Sequence, residues 1–548
     1  MIKLAAALAL LIPQEDLSFV NGTVYTQDPA APTVQAVALR NGVVFRTGTT
    51  DEIRALGGRI IDLQGATVVP GLVDAHGHVA SLGSLVRRVD LRDTKSFEEV
   101  VERVRERAKT IPRGEWIIGR GWNQESWKDA TLPTHEKLSE ATPDHPVWLS
   151  RVDGHAGLAN RRAMELARVS ARTPSPPGGE ILKNDKGEPT GIFVDNAMGH
   201  VTAHLPGSTR ESIKQQILDA QQACLKAGLT GVHDAGCGSE YIRAYEELAA
   251  EGKLKMRFYV MVSGSTAWTI DYISKNPLRV GRGANLLTIR SIKMMADGAL
   301  GSRGALLLEP YEDRPKDDQG RPYHGLSTID TAALRKVGVE ALRRGWQLCV
   351  HAIGDRGNRE VLDGFEAALK EVPVRDHRFR VEHAQITHPD DIKRFAALGV
   401  VPSMQPTHAT SDMWMAEKRL GKRRLDGAYA WQKFLKSGSI VASGSDFPVE
   451  SEKPLWGLYA AVTRQDHEGR PEGGWLPEER MSREEALSSF TLGACHASFE
   501  ADWKGRLARG WAADLVVLSK DIMKVTPAEM LKTEVLYTVV AGQIGYEK

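Results

Sequence analysis

Cysteine is scarce in this chain, and the few present are not arranged to pair. Cys224, Cys237, Cys349 and Cys495 are the four cysteines, and no two of them form a C-x-x-C. Neither a disulfide framework nor a cysteine-built structural zinc site is expected from them, and buried thiols are the simpler reading. A charge excess is also missing, since 71 Lys and Arg stand against 70 Asp and Glu for a formal net charge of +1. With no basic excess and no Lys/Arg run, nucleic acid is not an expected partner. No stretch reaches the roughly 18 apolar residues of a membrane span. What remains, 548 residues of which 42% are hydrophobic and 26% charged, is enough for one large domain and a smaller one.

The first 15 residues are read as a signal or N-terminal extension. Met1-Ile2-Lys3 precedes an apolar run from Ala5 to Ile12, then Pro13 and three polar residues. This resembles a short secretory signal without a clean A-x-A cleavage site, and export is slightly favoured over a cytoplasmic location. From residue 16 to 69, short β-rich runs alternate with Asn-Gly turns at 21–22 and 41–42. Residues 505–548 repeat that style, with Ala513-Asp514-Leu515-Val516-Val517-Leu518 and the run 535–540. Residues 16–69 and 505–548 are therefore expected to build one small β-sandwich domain from both chain ends.

Between them, at 70–504, buried-type strands are each followed by a helical pattern. The expected strands are 66–78, 229–235, 258–263, 289–297, 346–354, 379–385, 400–408 and 440–447. Eight such βα units predict a (β/α)₈ TIM barrel in the α/β class, with its active site at the strand C-termini. The long gap after the first strand predicts an inserted subdomain at about 85–215, a common place for a lid or specificity element.

The strand ends carry metal-type residues. His76 and His78 sit at i and i+2, so on a strand they converge on one face. Strand four carries Lys293, strand five ends at His351, strand six at His383, strand seven at His408 and strand eight at Asp446. Six of sixteen histidines (these five and His233) fall at proposed strand ends. That clustering favours a metal site over core histidines, because imidazole and carboxylate are the usual ligands of zinc-like ions. His233 is read as holding a neighbour, and Asp297 as a turn or capping residue.

Beyond these ligands the chain shows Gly119-Arg120-Gly121-Trp122, Asp153-Gly154-His155-Ala156, Asp297 to Arg303, and Gln405-Pro406-Thr407-His408. In this order they resemble the amidohydrolase superfamily, and within it amidohydrolase family 3, the branch that includes N-substituted formamide deformylases. The resemblance implies His76, His78 and Asp446 as ligands of a buried divalent metal, and His351 and His383 as ligands of a second. It implies zinc, one or two ions per chain. It also implies Lys293 as a residue that, once N6-carboxylated, bridges the two. An unmodified ammonium has no lone pair for a cation, so Lys293 is otherwise paired with an acidic neighbour and the site mononuclear. Asp446 is expected to be the catalytic base, taking a proton from an activated water and passing it to the leaving nitrogen.

His408, His155 and Trp122 are expected to contact substrate, each with a structural role as the alternative. The expected activity is metal-dependent hydrolysis of a non-peptide C–N bond in a small molecule, such as an N-substituted formamide or another N-acyl amine. A lactone, ester or cyclic amide would suit the same site, as would an inactive metal-binding regulator. A homodimer is compatible with the sequence.

Overall fold

The computed structural model describes residues 15–548 apart from 93, 125–126, 152–153, 208, 318 and 329. The signal-like run at 5–12 and Asp153 lie outside the described residues. The chain forms two compact units, residues up to Leu82 together with Ile213–Lys548, and Gly83–Ser212.

The first unit is built on a nearly closed parallel barrel. Its strands in chain order are Leu72–Gly77, Leu229–Cys237, Arg257–Ser263, Leu287–Met295, Gln347–Ala352, Arg380–His383, Val401–Met404 and Ala442–Ser443. They pair in parallel in that order, and a bridge between Gly77 and Phe447 joins the last segment to the first. The strands are rich in β-branched and large apolar residues because both faces are covered. Val260, Ile292, Leu348, Val350 and Val381 are all buried in the main core. The helices between strands carry ordinary end signals. In Thr331–Arg344, for example, the Asp330 side chain caps the first turn and Gly345 closes the last in the left-handed conformation.

Three strands differ from the expectation, for local reasons. The run 66–78 is two strands. Thr67–Pro70 belongs to another sheet, and the barrel strand starts after Gly71, whose added Cβ would lie 2.4 Å from Thr230 Oγ1. Strand seven stops at Met404, because Pro406 suits the first turn of the helix Pro406–Leu420 and lacks the N–H a ladder needs. His408 therefore stands on a helix rather than at a strand end. Strand eight keeps regular pairing only at Ala442–Ser443.

Two further sheets are built from the chain ends, and both ends meet in the second. A four-stranded sheet contains Leu17–Val20, Ala36–Arg40, Val43–Gly48 and Arg59–Asp62. In a six-stranded one, Thr23–Tyr25, Thr33–Val34 and Thr67–Pro70 form one half and Leu515–Leu518, Val535–Val540 and Gln543–Glu547 the other, joined where Leu515–Leu518 pairs antiparallel with Thr67–Pro70. Phe19, Val37, Val68, Leu515, Val517 and Val539 share one apolar core there. Arg257 at the start of barrel strand three donates to both carboxylate oxygens of buried Asp514, at 2.6 and 2.8 Å.

The second unit holds a six-stranded mixed sheet with apolar clusters on it, one around Trp122, Leu149 and Leu158 and another around Trp148 and Phe193. All four cysteines are buried and free. Among the described residues no helix is long and apolar enough to cross a membrane.

Candidate metal centre

Barrel closure assembles the first ligand group. His76 is on strand one and fully buried, and His78 follows the strand end. The backbone N–H of Asp446 donates to His76 O at 2.7 Å, and that of His78 donates to Phe447 O at 2.8 Å. These two bonds clamp the strand-eight segment against strand one. Gly77 sits between the histidines because a Cβ there would come within 2.5 Å of the Phe447 ring. Asp446 Oδ1 then lies 3.0 Å from His78 Nε2 and 3.6 Å from His76 Nε2. Its other oxygen is 3.7 Å from His408 Nε2.

Two ligand triads result, His76–His78–Asp446 and His383–His408–Asp446, with ligand atoms within 4.8 Å of one another in each. They share the Asp446 carboxylate. Asp446 (φ 62) and His383 (φ 78) both adopt left-handed backbone, uncommon for residues with a Cβ and a conformation that costs energy. At His383 it interrupts strand alternation just after Glu382. His351 is near this group, its ring 4.5 Å from that of His383, but its Nε2 faces Asp297 Oδ1 at 3.4 Å. Among the residues expected at the mouth, the structure thus groups His408 with His383 and sets His351 beside Asp297. Lys293 is buried in the same interior, where Glu382 and Asp446 act on it electrostatically.

Buried partners hold the ligand rings. His76 Nδ1 donates to Glu382 Oε2 at 2.5 Å, and both side chains are fully buried. His383 Nδ1 donates to Gln405 Oε1 at 2.7 Å, and Gln405 is turned by its own bond to Ser403 O. Each contact leaves Nε2 as the lone-pair atom of its ring, the usual arrangement behind a metal-binding histidine. Glu382 is in turn held by Arg380, whose Nη2 donates to it at 2.9 Å and whose Nε lies 2.7 Å from Oε1 as a bent ion contact. Arg380 also donates to Ala75 O, Ser403 Oγ and His233 Nδ1. His233 therefore accepts through Nδ1 and serves a neighbour. Asp74, two residues before His76, accepts from Ser445 Oγ and N and from His76 N, stitching strand one to strand eight.

The electrostatics keep the ligands in binding form. Burial, reinforced by the Lys293 charge, lowers His76 to about 4, and burial lowers His383 well below the usual imidazole value. Both rings are neutral at pH 7. Burial would raise Asp446, but contact with His78 and the nearby His76 and His408 overcome it and hold the carboxyl at about 2. Burial lowers Lys293 from the ordinary lysine value against the pull of Glu382 and Asp446. Asp74 is raised to about 7 by burial.

His76 Nε2 and His408 Nε2 are buried nitrogens without a hydrogen-bond partner, and both face the Asp446 carboxylate. Such atoms converging at one place are costly unless something satisfies them. A nitrogen–oxygen donor set of this kind fits a divalent, zinc-like cation.

Other expected residues are placed differently. Trp122 is 1% exposed in the core of the second unit, and its Nε1 donates to Leu149 O. Its indole is packed inside that core. The side chain of His155, 76% exposed, pairs with Asp195 at 2.8 Å. Asp297 acts as a loop clasp, accepting from the backbone of Leu306, Ile353 and Gly354. Reading the sequence did not assign Arg380, Glu382, Gln405 or Asp74. The available signals were R-x-E on strand six and D-x-H on strand one, charged residues two apart on otherwise apolar strands.

Residues 59–546 match the amidohydrolase family. A putative amidohydrolase of Bacillus subtilis, YtcJ, is 32% identical over 96% of this chain and 98% of its own. The N-substituted formamide deformylase of Arthrobacter pascens is 28% identical over 97% and 98%. An uncharacterized metal-dependent hydrolase from Pyrococcus furiosus has a solved structure 31% identical in sequence, covering 93% of this chain and all of its own, with a TM-score of 0.73. The family implies a divalent metal, and the His76–His78–Asp446 cluster is a group of the kind that could hold one. The chain belongs to the amidohydrolase family, in family 3, and is a metal-dependent hydrolase.

Proposed function

We propose that this chain hydrolyses a non-peptide C–N bond, the amide of an N-substituted formamide or other small N-acyl amine, with zinc as its metal. The observation that carries the reading is the Asp446 carboxylate shared by two histidine pairs, with the facing His76 and His408 Nε2 atoms lacking hydrogen-bond partners. The deformylase among the relatives supports the choice of bond.

His76, His78 and Asp446 would hold one cation, and His383 with His408 or His351 a second. When bound, a divalent cation supplies carbonyl polarisation and acidification of water. The work of the chain itself falls on Asp446. Its carboxyl titrates at about 2, so at neutral pH it is free to accept a proton from the attacking water. It then delivers that proton to the leaving nitrogen, which would otherwise depart as a strongly basic amide anion. Lys293 is assigned the N6-carboxylated bridge. Burial lowers its proton affinity, and as the neutral amine it would take up carbon dioxide, release a proton and become an anionic oxygen ligand. Glu382 and Gln405 orient His76 and His383 throughout.

The test is a hydrolysis screen of the zinc-supplemented protein against N-formyl and N-acyl amines, esters, lactones and cyclic amides. Turnover of the linear amides is expected. Turnover confined to esters, lactones or cyclic amides would transfer the site to those substrates, and metal binding without any turnover would make it a binding protein. Intact mass under native conditions should show one added carbon dioxide, abolished in Lys293→Ala.

A further inference from the structure

The left-handed backbone of Asp446 (φ 62) is a conformation that persists only where its surroundings enforce it. One hydroxyl does so here. The Phe447 N–H donates to Ser445 Oγ at 3.1 Å, closing a turn across Asp446 from the residue before it to the residue after it. Ser445 Oγ in turn donates to Asp74 Oδ2 at 2.6 Å, and the Ser445 N–H lies 3.1 Å from both oxygens of that carboxylate. Ser445 is 5% exposed and Asp74 1%, so solvent offers these bonds no substitute.

Asp74 serves strand one as well. Its Oδ1 accepts from the His76 N–H at 3.0 Å. A single carboxylate therefore fixes the backbone of a strand-one ligand and of the residue next to Asp446. Both of its oxygens face donors, which an acceptor-only group satisfies and a side-chain amide does not. The close approach needs Gly444, where an added Cβ would lie 2.5 Å from Asp74 Oδ1 and from His76 N. Asp74 and Ser445 stand outside both ligand triads. What they control is direction.

We propose that Asp74 and Ser445 are positioning residues for Asp446, holding its turn so that one carboxylate faces both histidine pairs and stays aimed at the leaving nitrogen. The proposal rests on the reading of Asp446 as proton carrier and adds what aims it. Without the Ser445 hydroxyl the Phe447 N–H loses its partner and the turn relaxes. Misplacing a reacting group by about 1 Å can cost about 10²-fold in rate.

The zinc-loaded full chain is compared with Ser445→Ala, Ser445→Thr and Asp74→Asn, each at saturating zinc, on N-formylbenzylamine and N-formyl-4-nitroaniline. Benzylamine is a strongly basic leaving group that needs the Asp446 proton, and 4-nitroaniline needs it far less. Ser445→Ala should lower kcat on the benzylamine amide about 10–100-fold, leave KM unchanged and slow the nitroaniline amide much less. Its zinc affinity, read by competitive titration, should fall about tenfold. Ser445→Thr keeps the hydroxyl and should keep the parental values, and Asp74→Asn should repeat the Ser445→Ala pattern. If the parent cleaves both amides and Ser445→Ala slows them equally or not at all, the positioning role is overturned while the amide reading stands. A parent that cleaves neither overturns the amide reading, and the zinc titration then decides the positioning role by itself. Weaker binding in Ser445→Ala upholds it, and parental binding overturns it. Ser445→Ala decides alone if either of the other variants does not fold.

Discussion

Glu382→Gln separates the structural from the metal-binding consequence of the contact behind His76. In the parent, Glu382 accepts from His76 Nδ1 and is paired with Arg380, and all three side chains are fully buried. A neutral amide can still accept from Nδ1 through its carbonyl, so the His76 tautomer survives, but the negative charge that makes the ring a stronger ligand is lost. Removing such a partner typically costs about 10–100-fold in metal affinity, or about 1.4–2.7 kcal/mol. Folding is affected by a different route. The remaining acceptors of Arg380 (Ala75 O, Ser403 Oγ and His233 Nδ1) are all neutral, and a buried guanidinium without a counter-charge costs about 3–5 kcal/mol. That is a large share of an ordinary domain's stability of about 5–15 kcal/mol.

The assays are urea unfolding of the chelator-treated protein and competitive zinc titration against a chromophoric chelator. Two companions complete the set. Glu382→Leu removes the acceptor as well and should bind zinc more weakly than Glu382→Gln. The double variant Arg380→Met/Glu382→Gln removes the stranded cation, so it should recover stability while its zinc affinity stays low. If Glu382→Gln and Glu382→Leu both bind zinc within twofold of the parent and unfold within about 0.5 kcal/mol of it, the range of a featureless substitution, the reasoning is refuted.

Three further outcomes are expected. Asp446→Asn should fold, since Asn tolerates the left-handed backbone at this position, yet lose about 10²–10⁴-fold in turnover at saturating zinc; parental turnover would remove the proton-transfer role. In metal-free protein, His76 is held at about 4 against an ordinary 6.5, so above pH 6.5 its ring is neutral folded or unfolded and adds no pH dependence. As pH falls from 6.5 towards 4 the unfolded chain takes up a proton that the folded ring refuses. Stability should therefore drop by about 3 kcal/mol from this group; a urea midpoint that is level or rises from pH 7.5 to 4.5 contradicts that sign. Chelation should lower the unfolding temperature and zinc should restore it, with about 2.7 kcal/mol of stabilisation at a hundredfold excess over Kd; a transition indifferent to zinc would remove the metal centre.

Much of the barrel was legible along the chain because its strands are buried on both faces. Such strands read as short apolar runs, and each of the eight expected runs overlaps a strand of the parallel barrel. The boundaries were less legible, for reasons carried by single residues. Pro70-Gly71 divides one apolar run between two sheets, and Pro406 converts a strand end into a helix start that carries His408. Trp122 was expected near substrate because it lies in the insertion, and its indole packs inside the unit's own core, donating to Leu149 O. Alternation along one strand cannot tell a ring that faces a substrate from one that packs beneath a sheet.

The sequence by itself determined the kinds of ligand and their placement by strand, because metal chemistry needs imidazole and carboxylate and a barrel brings strand ends together. Only the tertiary structure decided which groups meet. Glu382 is 306 positions from His76 and contacts it at 2.5 Å. Asp446 reaches His76 and His78 because the Gly77–Phe447 bridge joins the ends of the barrel. Left-handed turns at His383 and Asp446 reset side-chain directions that strand periodicity would assign otherwise. Residue type is local information, but convergence depends on closure and backbone dihedrals that only the folded chain supplies.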